Sequence, residues 1–162
     1  MVEPWLRGTL IEVDAVRRQV LHALQLAGED VERWCAPLTD TQIHARPAGI
    51  SSVAFHLRHI SGSLSRLLTY AEGQQLSPLQ LEEMDDEKEP LGSADVLADF
   101  RQGLADATAR IDRFQPERYE EMRYVGREQL ESTFGGLLVH CAEHTQRHVG
   151  QAITTSQIAG AV

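Results

Sequence analysis

Three histidines, His140, His144 and His148, recur at every fourth position in the stretch Gly136-Leu-Leu-Val-His-Cys-Ala-Glu-His-Thr-Gln-Arg-His-Val-Gly-Gln151. Four residues along an α-helix turn by about 40° and rise by about 6 Å, so the three imidazoles share one strip of one helix. Imidazole has a reference pKa of about 6.5 and is an uncharged nitrogen ligand at neutral pH, and rings one turn apart can share a metal ion. Three-four spacing predicts a seam of Leu137, Cys141, His144, His148, Gln151 and Thr155 beside an apolar stripe of Phe134, Leu138, Ala142, Val149 and Ile153. Burying such polar groups without partners costs about 1–3 kcal/mol each, and a metal ion would satisfy several of them together.

Two helical histidines leave a site incomplete, and a third ligand is expected from a facing helix. The segment Ser52-Val-Ala-Phe-His-Leu-Arg-His-Ile60 offers His56 and His59. By rotation His56 lies about 60° and His59 about 120° from the centre of that segment's apolar seam, so periodicity alone prefers His56. Ligation requires neutral rings, so metal occupancy is expected to fall below about pH 6.

The elements that must position these residues are helices. Val13, Val16, Val20, Ala23, Ala27, Val31 and Trp34 predict a first helix over about 10–34. Val53, Leu57, Ile60, Leu64 and Leu67 predict a second, capped by Ser51 or Ser52 and ended near Gly73. Leu97, Phe100, Leu104, Ala107, Ile111 and Phe114 predict a third with Ser93 as its cap, and the histidine helix starts near Ser132 or Thr133. Between them lie connections longer than the two to eight or so residues usual in simple bundles, so at least one is a candidate crossover. Ser77-Pro78 can open one or two helical turns, and most of the charge in the run Glu82-Glu-Met-Asp-Asp-Glu-Lys-Glu89 reads as solvated. Tyr124-Val-Gly-Arg127 can turn a short hairpin or cross the surface, but no convincing strand pattern is present. The expected fold is all-α, a four-helix bundle with long connections, in a single domain over 1–162.

Composition narrows the function. With 15 Lys and Arg against 24 Asp and Glu, the net charge of −9 argues against sequence-independent binding to nucleic acid or anionic lipid. No apolar run approaches the roughly 18 residues of a membrane span, and the N-terminus lacks a basic segment followed by an apolar one, so the cytoplasm is the expected location. Cys35 and Cys141 make no disulfide framework and are read as reduced thiols, Cys141 as a packing residue within the histidine helix. Gly-rich phosphate loops, His-Glu-x-x-His and the Glu-x-x-His pairs of di-iron bundles are all absent from the sequence.

The segment 52–60, followed by Glu143-His-Thr-Gln-Arg-His-Val-Gly-Gln151, resembles the DinB/YfiT-like family of metalloenzymes. The resemblance covers nearly the whole chain in helix order and spacing. It implies a four-helix bundle whose second helix carries one histidine and whose fourth carries an His-x-x-x-His pair. Its register, with a Ser seven residues before the ligand, selects His59, and so implies a divalent ion, nickel or zinc, on His59, His144 and His148 with positions left open. His140 is an additional histidine that can line the site. Where family members often carry an acidic residue one turn after the first ligand, this chain has Ser63. The activities implied are metal-dependent transfer of a low-molecular-weight thiol such as bacillithiol or mycothiol to a small-molecule substrate, or maleylpyruvate isomerisation. The competing expectations are metal-dependent hydrolysis and a non-catalytic metal-binding or stress-response protein, in which the same ligands would hold an ion or support the face of a homodimer.

Overall fold

A computed structural model of the chain describes residues 2–87, 89 and 91–160, the side chain of Asp85 excepted. Among these residues the protein is mostly helical, with one small sheet, and the all-α expectation fits broadly. Four long helices carry the core: α1 (Ala15–Trp34), α3 (Val53–Ala71), α5 (Ser93–Ile111) and α6 (Phe134–Gly160), with two short helices, α2 (Asp40–His44) and α4 (Pro78–Asp86), in the connections.

Helix boundaries follow their caps. Asp14 accepts from the backbone N–H groups of Val16 and Arg17 at 3.2 and 3.1 Å, so α1 starts at Ala15 and not near Leu10, which sits at φ 56°. Ser52 caps α3 by accepting from Phe55 N at 3.2 Å. That helix ends in a Schellman motif in which Gly73, at φ 81°, donates to Tyr70 O and Gln74 donates to Thr69 O. Helices α2 and α4 each open with a capping box, Thr39 with Gln42 and Ser77 with Gln80. Ser93 does not cap α5. It is that helix's first residue, Gly92 holds the cap position, and Asp40 accepts the Ser93 N–H at 2.8 Å. The helix stops at Ile111, before Phe114.

Helix α6 packs against α3 and α1, and α5 against α3 and, less extensively, α1. Consecutive long helices are therefore not always neighbours, since α1 lies diagonally from α3 and α5 from α6. The first and third long connections cross an end of the helical array. The core between the helices holds Val20, Leu24, Ala27 and Val31 of α1, Leu57, Ile60, Leu64 and Leu68 of α3, Phe100 and Ile111 of α5, and Phe134 and Leu138 of α6.

Of the two readings of Tyr124-Val-Gly-Arg127, the short hairpin is the one found, and it corrects the expectation that no convincing strand pattern is present. β1 (Met122–Val125) pairs antiparallel with β2 (Leu130–Thr133), Met122 opposite Thr133 and Val125 opposite Leu130. Its periodicity is hidden because the buried position on β1 is Arg123 rather than an apolar residue. The Arg123 guanidinium donates to Ala71 O at 2.6 Å and to Glu121 Oε2 at 2.7 Å, docking the hairpin on the C-terminal end of α3. Phe134 N and Gly135 N donate to Glu121 O and Tyr119 O, and Gly136 N to Thr133 Oγ1, so the hairpin also anchors the first turn of α6.

Candidate metal centre

Packing of α3 against α6 brings His59, His144 and His148 together, with one ring nitrogen of each within 4.8 Å of the others. His59 Nε2 and His144 Nε2 are 3.1 Å apart, and the His148 ring centroid lies 4.5 Å from each of the other two. All three are half-buried at the edge of the core. At His144 and His148 the environment resists protonation. Burial, reinforced by the charge of the neighbouring imidazoles, pushes His144 down to about 4 and lowers His148 as well.

The other candidate on α3 has a different place. His56 is only 5% exposed, and its Nδ1 lies 3.0 Å from Nδ1 of His148. Burial and the nearby rings push it down to about 4. Periodicity thus ranks the two correctly by burial, whereas the three-ring cluster contains the less buried His59.

His59 has a partner that the sequence reading placed in solvent. From just beyond α4, Glu87 reaches back so that its Oε2 accepts from His59 Nδ1 at 2.7 Å, while Arg66 Nη1 lies 2.7 Å from its Oε1. Glu87 is 7% exposed. Burial alone would raise its pKa, but the contacts from His59 and Arg66 outweigh that and hold it below the usual carboxylate range. Glu87 is thus an exception to the expectation that most of the charge in 82–89 is solvated; Lys88 of that run lies outside the described residues. Single-chain periodicity had no means of finding Glu87, because a buried carboxylate within an acidic run is marked only by its partners.

The remaining residues singled out by spacing fall outside the cluster. The His140 ring is 5.5 Å from that of His144, and His140 Nδ1 is 3.3 Å from Glu143 Oε2. Glu143 and Arg147 pair with each other at 2.7 Å, each more than half exposed. Gln151 does not fill a buried seam: it is exposed, and Thr145, Val149 and Ala152 take the core side of that turn. With Ile50, Ser51, His56, Arg147 and Thr154, Gln151 lines an open recess of about 390 Å³ beside the histidines. His44 Nε2 is 2.6 Å from Leu91 O, and His22 Nε2 is 3.1 Å from Thr9 Oγ1, so both serve the fold. Cys35 and Cys141 are buried and free, and burial pushes both thiols up to about 12.

This geometry can be set against known proteins. The profile of the DinB superfamily matches residues 12–152, a span that takes in all three clustered histidines. The chain belongs to the DinB superfamily. No curated protein matches it. Among the described residues of this DinB-superfamily chain, no helix is long and apolar enough to cross a membrane.

The three close histidines could hold a metal ion, and their donors fit one. Two nitrogens bound to one tetrahedral ion at about 2.0–2.1 Å stand about 3.3 Å apart. The 3.1 Å between His59 Nε2 and His144 Nε2 is within a few tenths of that. The donors are neutral nitrogens of a type suited to zinc, nickel, copper or iron.

The lowered pKa values set the sign of the pH response. A ring that binds its proton only near pH 4 has none to displace at neutral pH, so protons compete with the ion later than they would for free imidazoles. Zinc affinity, measured by chelator competition, is expected to fall less between about pH 8 and 6 than three free imidazoles would give, because His144 and His148 are lowered, and to fall with steepening slope as pH approaches 4. Complete loss above about pH 6 would show the rings titrating as free imidazoles.

Proposed function

We propose that this protein is a single-domain, four-helix-bundle metalloenzyme in which His59, His144 and His148 hold one divalent ion, nickel or zinc, and that it transfers a low-molecular-weight thiol to an electrophilic small molecule. The observation that carries the reading is the three-histidine cluster itself, joined by no fourth His, Cys, Asp or Glu among the described residues. Three protein ligands with open positions are the arrangement of a catalytic site rather than a closed structural one. When bound, a divalent ion there supplies Lewis acidity and lowers the pKa of a thiol or water that reaches it.

The chain's own residues support transfer rather than self-nucleophilic chemistry. Both of its thiols are buried and held protonated, so the reacting sulfur comes from a second molecule. His56 stays neutral at pH 7 and can hydrogen-bond a substrate in the adjoining recess, where Ile50 and the α6 backbone at Gly150 supply uncharged wall. The reaction balances as a substitution: the carbon–sulfur bond forms as the bond from carbon to the leaving group breaks, and the thiol proton departs with that group.

Conjugation of bacillithiol, mycothiol and glutathione to a generic electrophile tests the reading, with metal-free protein and His144→Ala as controls. Metal-dependent turnover of at least one thiol above both controls is the expected result. A fully metallated protein that turns over none of them would instead be a non-catalytic metal binder. The third ligand is tested separately: His59→Ala should weaken zinc binding by on the order of tenfold more than His56→Ala, as judged by chelator competition. The reverse ranking would make His56 the ligand.

A further inference from the structure

We infer that Glu87 is a positioning residue for His59, fixing the ring with its proton on Nδ1 and its Nε2 turned bare toward His144 and His148. An ionised carboxylate only accepts hydrogen bonds, so at the 2.7 Å contact between His59 Nδ1 and Glu87 Oε2 it is the ring that donates. In the neutral ring that leaves Nε2 as the lone-pair atom, 3.1 Å from His144 Nε2.

The opposite side of the ring agrees. Ser63 Oγ lies 3.3 Å from His59 Nε2 and itself accepts from Arg66 Nη2 at 3.3 Å, so the serine's own proton is free to be donated to a bare Nε2. Arg66 thus touches both partners of the ring, Ser63 on one side and Glu87 Oε1 on the other. Phe55 stacks on the His59 face, with ring planes 11° apart, and restricts its rotation.

The niche for the carboxylate is built into the fold. A Cβ on Gly62 would collide with Glu87 Oε1 and stand 2.7 Å from Arg66 Nη1, so the glycine opens the space that the ion pair fills. Arg58 Nη1 donates to Glu89 O at 2.5 Å and ties down the backbone just beyond Glu87. The carboxylate comes from 28 residues downstream and not from the turn after His59, where Ser63 stands. Partners of this kind orient a ligating histidine and raise its basicity, and their loss commonly weakens metal binding about 10–100-fold.

The consequence for metal affinity rests on the proposed three-histidine site, whereas the tautomer does not, and two readouts separate them. Nitrogen-15 NMR of metal-free protein at neutral pH should show His59 protonated on Nδ1, and Glu87→Ala should shift it toward the Nε2-protonated form. Zinc affinity by chelator competition should fall about 10–100-fold in Glu87→Ala and about tenfold in the near-isosteric Glu87→Gln. Neither change should lower affinity further in a His59→Ala background.

Nε2-protonated His59 in the parent, or zinc binding by both variants within about threefold of the parent, would overturn the proposal. So would an equal loss in the His59→Ala background, which would mean that Glu87 only pins its segment to Arg66. If Glu87→Ala does not fold, Glu87→Gln decides. A parent that shows the expected tautomer but binds no zinc would uphold the positioning of His59 and remove the metal reading alone.

Discussion

Replacing His144 or His148 with Ala should lower divalent-metal affinity by on the order of a hundredfold or more, and the double replacement should leave the purified protein essentially free of the ion. Each ring is one of three donors converging within 4.8 Å, and no fourth His, Cys, Asp or Glu among the described residues joins that mutual cluster. The fold should survive the loss. Both rings are half-buried at the margin of the core, while Leu138, Cys141, Val149 and Ala152 on the adjacent face of α6 remain to pack against α1 and α3. Elemental analysis should therefore find one ion per chain in the parent and almost none in the double variant, with unchanged helical circular dichroism. Full metal retention by the double variant would remove these residues from the site.

Phe134→Ala should destabilise the protein by about 3–5 kcal/mol, a range typical of truncating a large core aromatic. Phe134 is completely buried where three parts of the chain meet. Its ring packs edge-on to Phe114 at 4.9 Å and lies 5.9 Å from that of Tyr119, with the Arg118 and Arg123 guanidinium carbons 5.4 and 5.3 Å from its centroid. It is also the first residue of α6, held by its N–H to Glu121 O at 2.9 Å. Removing the ring leaves a cavity between the hairpin and the helix and strips two cations of their aromatic partner. His144 lies ten residues further along α6, about 15 Å away, so zinc affinity of the folded variant should stay within a few-fold of the parent. Urea denaturation of the two proteins checks the first part. A loss below about 1 kcal/mol would mean that the site collapses around the missing ring.

The response of the centre to acid belongs to the same local physics. Burial and mutual repulsion push His144 down to about 4 and lower His148 as well, which moves proton competition at those two rings below the window that free imidazoles would give. Reference pKa values alone predict loss below about pH 6, and the packed environment shifts that expectation downward.

Several features could be read without a structure because they depend on residues close together in the chain. The three-four spacing of Leu97, Phe100, Leu104, Ala107 and Ile111 makes α5 a helix whatever it touches, and a Ser just before an apolar run supplies the cap of α3. His144 and His148 lie on one strip because helical geometry puts them there. Features that join distant segments depended on tertiary structure. Which of His56 and His59 joins the three-ring cluster turns on the rotation of α3 about its axis, which is set by packing along its length: Leu57, Ile60 and Leu64 take the core centre, and His59 is left at its edge. The diagonal placement of α1 and α3 is likewise a matter of which helices bury which faces. The hairpin was legible only as one of two alternatives, because its buried side chain is a cation whose partners, Ala71 O and the Phe134 ring, come from other elements. Glu87 is the clearest case. Nothing distinguishes it from the acidic residues around it until Arg66, His59 and the space above Gly62 are brought to one place, because a carboxylate is stable in the interior only where such partners offset its desolvation.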